Sequence, residues 1–300
     1  MRRMARVRLG TISTDDGTAP AIQEAGSWYR CAVPSGLVAP ASVLDLLVLG
    51  NQVRAGNAVQ PVRLLPPLLP HRNVICLGKN YREHAREFSA YAGEADSIPE
   101  APIVFTKPAA ALCGAADDIT VGRDVTAALD YEVELGVVIG LGGRDIQAED
   151  ALRHVAGYTI LNDTTARDLQ QRHKQWFLGK SLVGATPTGP VIVSADEFTG
   201  LAERSIRCWV NGELRQDATL GQMIFGIPET IAQISRIFPL EPGDLIAMGT
   251  PSGVGVGFDP PRFLSDGDRV ICEIDGIGRL DNIIRFVPAP RDAVKEAAHV

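Results

Sequence analysis

Asp130-Tyr131-Glu132-Val133-Glu134-Leu135-Gly136-Val137-Val138-Ile139 is the stretch on which the reading of the fold turns. Its β-branched and apolar residues predict a strand over 132–139, and side chains two apart in a strand share a face. Glu132 and Glu134 therefore stand together, about 7 Å apart along the strand, while Val133 and Leu135 face the other way. Two adjacent carboxylates in an apolar strand repel each other and are costly to bury. Read alone, the pair fits either a solvent-facing edge or a site where a divalent cation removes that cost.

Further runs of the same texture lie on both sides. Strands are predicted over 74–77, 103–106, 157–161, 190–193, 205–210, 245–248 and 269–274, separated by glycine and proline. Helical spacing is clearest from Thr164 to about Lys174 and from Ile227 to Ile237. Many short strands with few helices predict a β-rich α+β domain, not a doubly wound parallel sheet. Upstream, Val7 to Ile12 alternates as a strand and Thr14-Asp15-Asp16-Gly17 reads as a hairpin turn, whereas Val43 to Val53 has helical spacing. Pro61, Pro66, Pro67 and Pro70 then crowd one stretch that suits neither a helix nor a central strand. This divides the chain into a small N-terminal domain, residues 1–66, and a main domain, residues 67–300, with a frayed tail from Ala289.

The run Gly157 to Leu161 ends at Asn162-Asp163, so Asp163 sits at a strand-to-helix junction, a common place for an N-cap. Arg167 and Gln170 are three apart and share one face of the following helix; with Asp163 they can converge on the Glu132–Glu134 pair. Three carboxylates without histidine or thiolate make a hard oxygen site suited to Mg2+ or Mn2+. In Asn80-Tyr81-Arg82-Glu83-His84-Ala85-Arg86-Glu87, helical spacing puts Glu87 beside His84, as a general base requires; surface decoration is the plainer reading of that pair. Lys180, in Trp176-Phe177-Leu178-Gly179-Lys180-Ser181, fits either an exposed lysine or a charge set over a developing enolate. The glycine-rich run Gly249 to Gly257 offers backbone N–H groups and the Thr250 hydroxyl to a carboxylate.

Bulk properties narrow the function. The 300 residues carry a net charge of −7, with 45% apolar and 22% charged side chains. An acidic chain without a basic run is poorly suited to nucleic acid or an anionic membrane. The five cysteines, Cys31, Cys76, Cys113, Cys208 and Cys272, form no CxxC and suit a reducing, cytoplasmic setting. No apolar run reads as a signal peptide or a bilayer span. Gly179-Lys180-Ser181 mimics the end of a phosphate-binding loop, but the position that needs glycine is Lys174.

From about Asn73 to Val287 the sequence resembles the fumarylacetoacetate hydrolase family. The matching blocks run in order: Gly78-Lys79-Asn80-Tyr81 with His84 and Glu87, Phe105-Thr106-Lys107-Pro108, Asp130 to Leu135, Asn162 to Asp168, Gly179-Lys180-Ser181, Val210-Asn211-Gly212-Glu213 and Gly249 to Gly255. Within the family the sequence resembles the branch of bacterial acylpyruvate hydrolases and 2-hydroxyhepta-2,4-diene-1,7-dioate isomerases. The resemblance implies a layered, mixed β-sandwich roll behind a small N-terminal domain, assembled as a homodimer. It implies Glu132, Glu134 and Asp163 as metal ligands, and His84 and Glu87 as a water-activating pair on a segment that closes over the ligand. Arg167, Gln170, Thr250 and Tyr81 are implied as substrate contacts, and Lys180 as the residue that stabilises the enolate. The implied partner is a small-molecule 2-oxo acid. The reaction expected first is hydrolysis of a C–C bond in an acylpyruvate, giving pyruvate and a carboxylic acid; oxaloacetate decarboxylation and 2-hydroxy-dienoate isomerisation are the alternatives. One position departs from the pattern: Val183 stands where many relatives carry aspartate.

Overall fold

The computed structural model describes residues 7–33, 39–49, 53–93 and 98–288. The first half of the chain forms strands β1 (Arg8–Thr14), β2 (Gly17–Glu24), β3 (Ser27–Ala32), β4 (Arg54–Val59), β5 (Arg63–Leu65), β6 (Val74–Gly78), β7 (Ile103–Lys107), β8 (Leu112–Cys113), β9 (Ile119–Gly122) and β10 (Leu129–Asp130). The second half adds β11 (Val133–Ile139), β12 (Val155–Asn162), β13 (Thr165–Ala166), β14 (Thr186–Ser194), β15 (Ser205–Val210), β16 (Glu213–Thr219), β17 (Leu245–Ala247), β18 (Arg269–Ile274) and β19 (Gly278–Val287). Helices α1 (Val43–Leu49), α2 (Arg82–Ala92), α3 (Arg167–His173) and α4 (Ile227–Ile237) complete the regular structure. The fold is mostly β, with mixed sheets in layers, as the sequence predicts.

Among the described residues the main sheet runs β4-β3-β2-β1-β14-β12-β11-β17-β6-β7, and a second sheet runs β16-β15-β18-β19-β9. The central strands are buried on both faces, which is why β11 reads as a nearly continuous apolar run. Val133, Leu135 and Val137 share one core cluster with Ile206, Cys208 and Val270 of the second sheet. On the opposite face, Val138 and Leu161 meet Leu46 and Leu47 of α1. Helix α4 covers another part of the core, with Ile227, Ile231 and Ile234 buried at helical spacing and a proline in its first turn.

One local expectation is corrected. The helix expected from Thr164 begins only at Arg167, because Thr165 and Ala166 pair with Asp130 and Leu129. The proline-rich stretch contains a strand, β5, which pairs with β1 (Thr11↔Leu65) and ends where Pro66 removes the next donor. The segment before residue 66 also extends the main sheet directly, since Arg8 and Leu9 pair with Val193 and Ile192 of β14. The tail from Ala289 lies outside the described residues, as do residues 94–97. No helix among the described residues is long and apolar enough to cross a membrane.

Candidate active site

Strand register brings the three carboxylates together. Strands β11 and β12 are antiparallel, with Val133 opposite Asn162 and Glu134 opposite Leu161. Glu132 therefore faces Asp163 across the sheet, and the Asp163 N–H donates to the Glu132 carbonyl at 2.8 Å. Ligand oxygens of Glu132, Glu134 and Asp163 all lie within 4.8 Å of one another, and all three residues are buried. Asp163 is not an N-cap; that position belongs to Ala166.

A set of cations holds this floor. Lys180 Nζ donates to Glu132 Oε2 at 2.6 Å and to Asp163 Oδ2 at 2.7 Å. It arrives there because Gly179 lets the Leu178–Lys180 turn press on α3: a Cβ on Gly179 would lie 2.6 Å from the Gln170 nitrogen. The Arg167 guanidinium donates to Asp130 Oδ2 at 2.8 Å, Glu132 Oε1 at 2.6 Å and Gln170 Oε1 at 3.1 Å. Lys107, given no role by the sequence reading, donates from full burial to Asp163 Oδ1 at 2.5 Å and to the Thr164 carbonyl at 3.0 Å.

The electrostatics fit a divalent cation. Burial raises the Glu132 carboxyl, but Lys180, Arg167 and His84 outweigh it and hold its pKa at about 2. Burial, then Asp163 and Glu132, push the Glu134 carboxyl well above the usual range, against the pull of Lys180 and the Gly249 N–H. Glu134 has no ion-pair partner among the described residues, so the three groups cannot all be charged cheaply. A dication would relieve that repulsion, and the all-oxygen donor set suits Mg2+ or Mn2+. Lys180 stays an ammonium: burial lowers its pKa, yet Asp163 and Glu132 raise it further.

Glu132 and Glu134 open onto a narrow cleft that is also lined by His84, Arg167, Gln170, Lys180 and Thr250. His84 lies on α2, buried, with Nδ1 lacking a hydrogen-bond partner and 3.6 Å from Glu87 Oε2. Glu87 instead accepts the Gly253 N–H at 2.9 Å. Tyr81 is not among the lining residues; it stands at the N-cap of α2 with its hydroxyl buried and unpartnered. Burial, then the charge of Glu134, raises that phenol.

The glycine-rich loop needs correcting as a ligand cradle. Its N–H groups serve carboxylates of the protein itself: Gly249 donates to Glu134, Gly253 to Glu87, and Gly255 and Val256 to Asp130. The Thr250 hydroxyl does reach the cleft, where it accepts from Gln216 Nε2 at 2.7 Å. Gln216 also accepts the Val133 N–H at 3.1 Å, tying β11 to the loop. Val183 is 74% exposed and does not line the cleft, so its departure from the relatives' pattern leaves the cleft walls untouched.

Comparison with known proteins follows the same lines. Residues 73–285 match the family described as fumarylacetoacetate (FAA) hydrolase, C-terminal. The chain is 51% identical over 228 residues to oxaloacetate tautomerase YisK of Bacillus subtilis, covering 76% of this chain and 74% of that protein. It is 40% identical to the solved fumarylacetoacetate hydrolase of Exiguobacterium antarcticum, with a TM-score of 0.82 over 94% of this chain and 100% of that one. It is 32% identical to the 2-hydroxyhepta-2,4-diene-1,7-dioate isomerase of Mycobacterium marinum, with a TM-score of 0.75 over 93% of this chain and 98% of that one. With the family's match spanning most of the chain and a relative at half identity, the protein belongs to the fumarylacetoacetate hydrolase family.

Proposed function

We propose that this protein is a Mg2+- or Mn2+-dependent cytoplasmic enzyme that interconverts the keto and enol forms of a small 2-oxo acid, oxaloacetate being the foremost candidate. The observation that carries this reading is a buried carboxylate triad beside a buried imidazole, in a chain 51% identical over 228 residues to an oxaloacetate tautomerase. A divalent cation held by Glu132, Glu134 and Asp163 would supply Lewis-acid stabilisation of the enolate oxygen. His84, whose Nδ1 has no hydrogen-bond partner, takes the proton from C3 of the keto acid and returns it to the oxygen of the enolate. The reverse transfer gives the keto form. Glu87, 3.6 Å away, supports the imidazolium between the two transfers. Lys180 keeps its charge and offsets the negative charge of the enolate. Arg167 and Gln170 hold the acid end of the cleft.

Hydrolysis of an acylpyruvate, the reaction expected first from the sequence, is the second reading. The His84–Glu87 pair favours it, since a carboxylate beside an imidazole also suits activation of water. Tautomerisation needs only a proton shuttle, and the name of the 51%-identical relative points to it.

The test is to mix enol oxaloacetate with the protein and Mg2+ or Mn2+ and follow the loss of the enol absorbance. His84→Ala is expected to slow the catalysed conversion by about 100- to 10,000-fold. Pyruvate release from acylpyruvates is measured in parallel. Rapid acylpyruvate cleavage without acceleration of tautomerisation makes the second reading the correct one. Full tautomerase activity in His84→Ala removes the assigned shuttle.

A further inference from the structure

Three aromatic rings join the walls of the cleft. Trp176 stands edge-on to Phe88 of α2, with centroids 5.4 Å apart at 62°, and to Phe105 of β7, at 5.4 Å and 72°. All three line the cleft. The Trp176 ring lies over the end of β6, where Gly78 alone leaves room for it: a Cβ on Gly78 would sit 2.2 Å from the ring. Burial orders the cleft from floor to mouth. The triad is almost fully buried, whereas Trp176 is half-buried and the next two residues, Phe177 and Leu178, are 42% and 50% exposed. The ionic groups are thus at the floor and the indole is at the mouth.

We propose that Trp176 is a specificity-determining residue whose ring limits how far a substrate extends beyond its 2-oxo acid head, keeping the cleft for short acids. The inference rests on the functional reading above. A 2-oxo acid head belongs at the floor, with Lys180 and Arg167. Whatever follows C3 must then run outward between Phe88, Phe105 and Trp176. Lys79 Nζ, which donates to Ser89 Oγ at 3.2 Å, lies 5.0 Å from the centre of the Phe88 ring and keeps a positive charge beside that wall. A longer apolar tail needs the volume that the indole fills. The gate is also coupled to the floor, because the Lys180 N–H donates to the Trp176 carbonyl at 3.1 Å.

The experiment is calorimetric titration of the Mg2+-loaded protein with 2-oxobutyrate, 2-oxohexanoate and 2-oxooctanoate, on wild type, Trp176→Ala and Gly78→Ala. The first variant removes the ring; the second leaves it in the chain but denies it its seat. Wild type is expected to bind more weakly as the tail lengthens. In Trp176→Ala the added methylenes find room, and the affinity for 2-oxohexanoate relative to 2-oxobutyrate rises about tenfold. Gly78→Ala shifts the ratio in the same direction, which keeps the test decisive if one variant folds poorly. An unchanged length dependence in the folded variants overturns the gate alone. Failure of every 2-oxo acid to bind wild type overturns the functional reading and the gate with it.

Discussion

Glu134 lies on the floor of the cleft between two other carboxylates and accepts the N–H of Gly249 at 2.9 Å. Burial and those neighbours favour its neutral form, so in the metal-free protein glutamine is close to an isostere of the residue as it stands. Glu134→Gln is therefore expected to leave the melting temperature of the chelator-treated protein near that of wild type. The rise in melting temperature on adding Mg2+ or Mn2+ should shrink or vanish, because that rise reports ligand binding to the native state alone. Differential scanning calorimetry with and without metal checks this; an undiminished metal-dependent rise removes Glu134 from the ligand set. Glu132 and Glu134 were legible in the sequence because period-two spacing is a local property of a strand. Lys107, Asp130 and Gln216 were not legible as site residues, because each acts by holding a side chain or loop far away in the chain. Lys107 reaches Asp163, and Gln216 reaches Val133 and Thr250. Nothing in local spacing marks such a partner.

The glycine-rich loop that follows β17 shows how one element positions several functional groups. Its N–H groups hold Glu134, Glu87 and Asp130 at once, which connects the floor, helix α2 and the Arg167 network. Gly253 is the tightest point: its φ is +97°, and a Cβ there would lie 1.8 Å from the Arg215 carbonyl oxygen. Gly253→Ala is expected to cost at least about 1–2 kcal/mol from the left-handed backbone alone and to release Glu87 from its donor. Urea unfolding measures the first effect. A fall in the tautomerisation rate, with metal binding retained, measures the second; a variant as stable and active as wild type contradicts this account of the loop. The loop's glycines were visible in the sequence, but they suggested a ligand cradle. The same N–H chemistry serves any carboxylate, and only the tertiary fold decides whose. Strands β11, β15 and β18 were legible from apolar runs and alternation, whereas the start of α3 was set by pairing of Thr165–Ala166 with β10, a contact between distant segments.

At the scale of the whole molecule, the N-terminal strands and the main domain share one sheet through β1 and β14, and a surface depression forms where they meet. The boundary at residue 66 was drawn from prolines, which mark a change in backbone but say nothing about which strands pair across it. Leu65, Leu68, Leu69, Leu112 and Val183 line this depression, and Leu69 and Val183 are 64% and 74% exposed. Exposed apolar side chains gathered around a concavity are what a protein interface covers. A homodimer, implied by the family resemblance, would bury them, Val183 included. Light scattering at micromolar concentration is expected to give about twice the 32.1 kDa of one chain. Val183→Lys, placed at that surface and outside the cleft, should shift the mass toward one chain while leaving Mg2+-dependent stabilisation intact, since the charge must be desolvated only in the interface. A single-chain mass for the wild type overturns the dimer. A dimer that Val183→Lys leaves unchanged moves the interface to another face of the molecule.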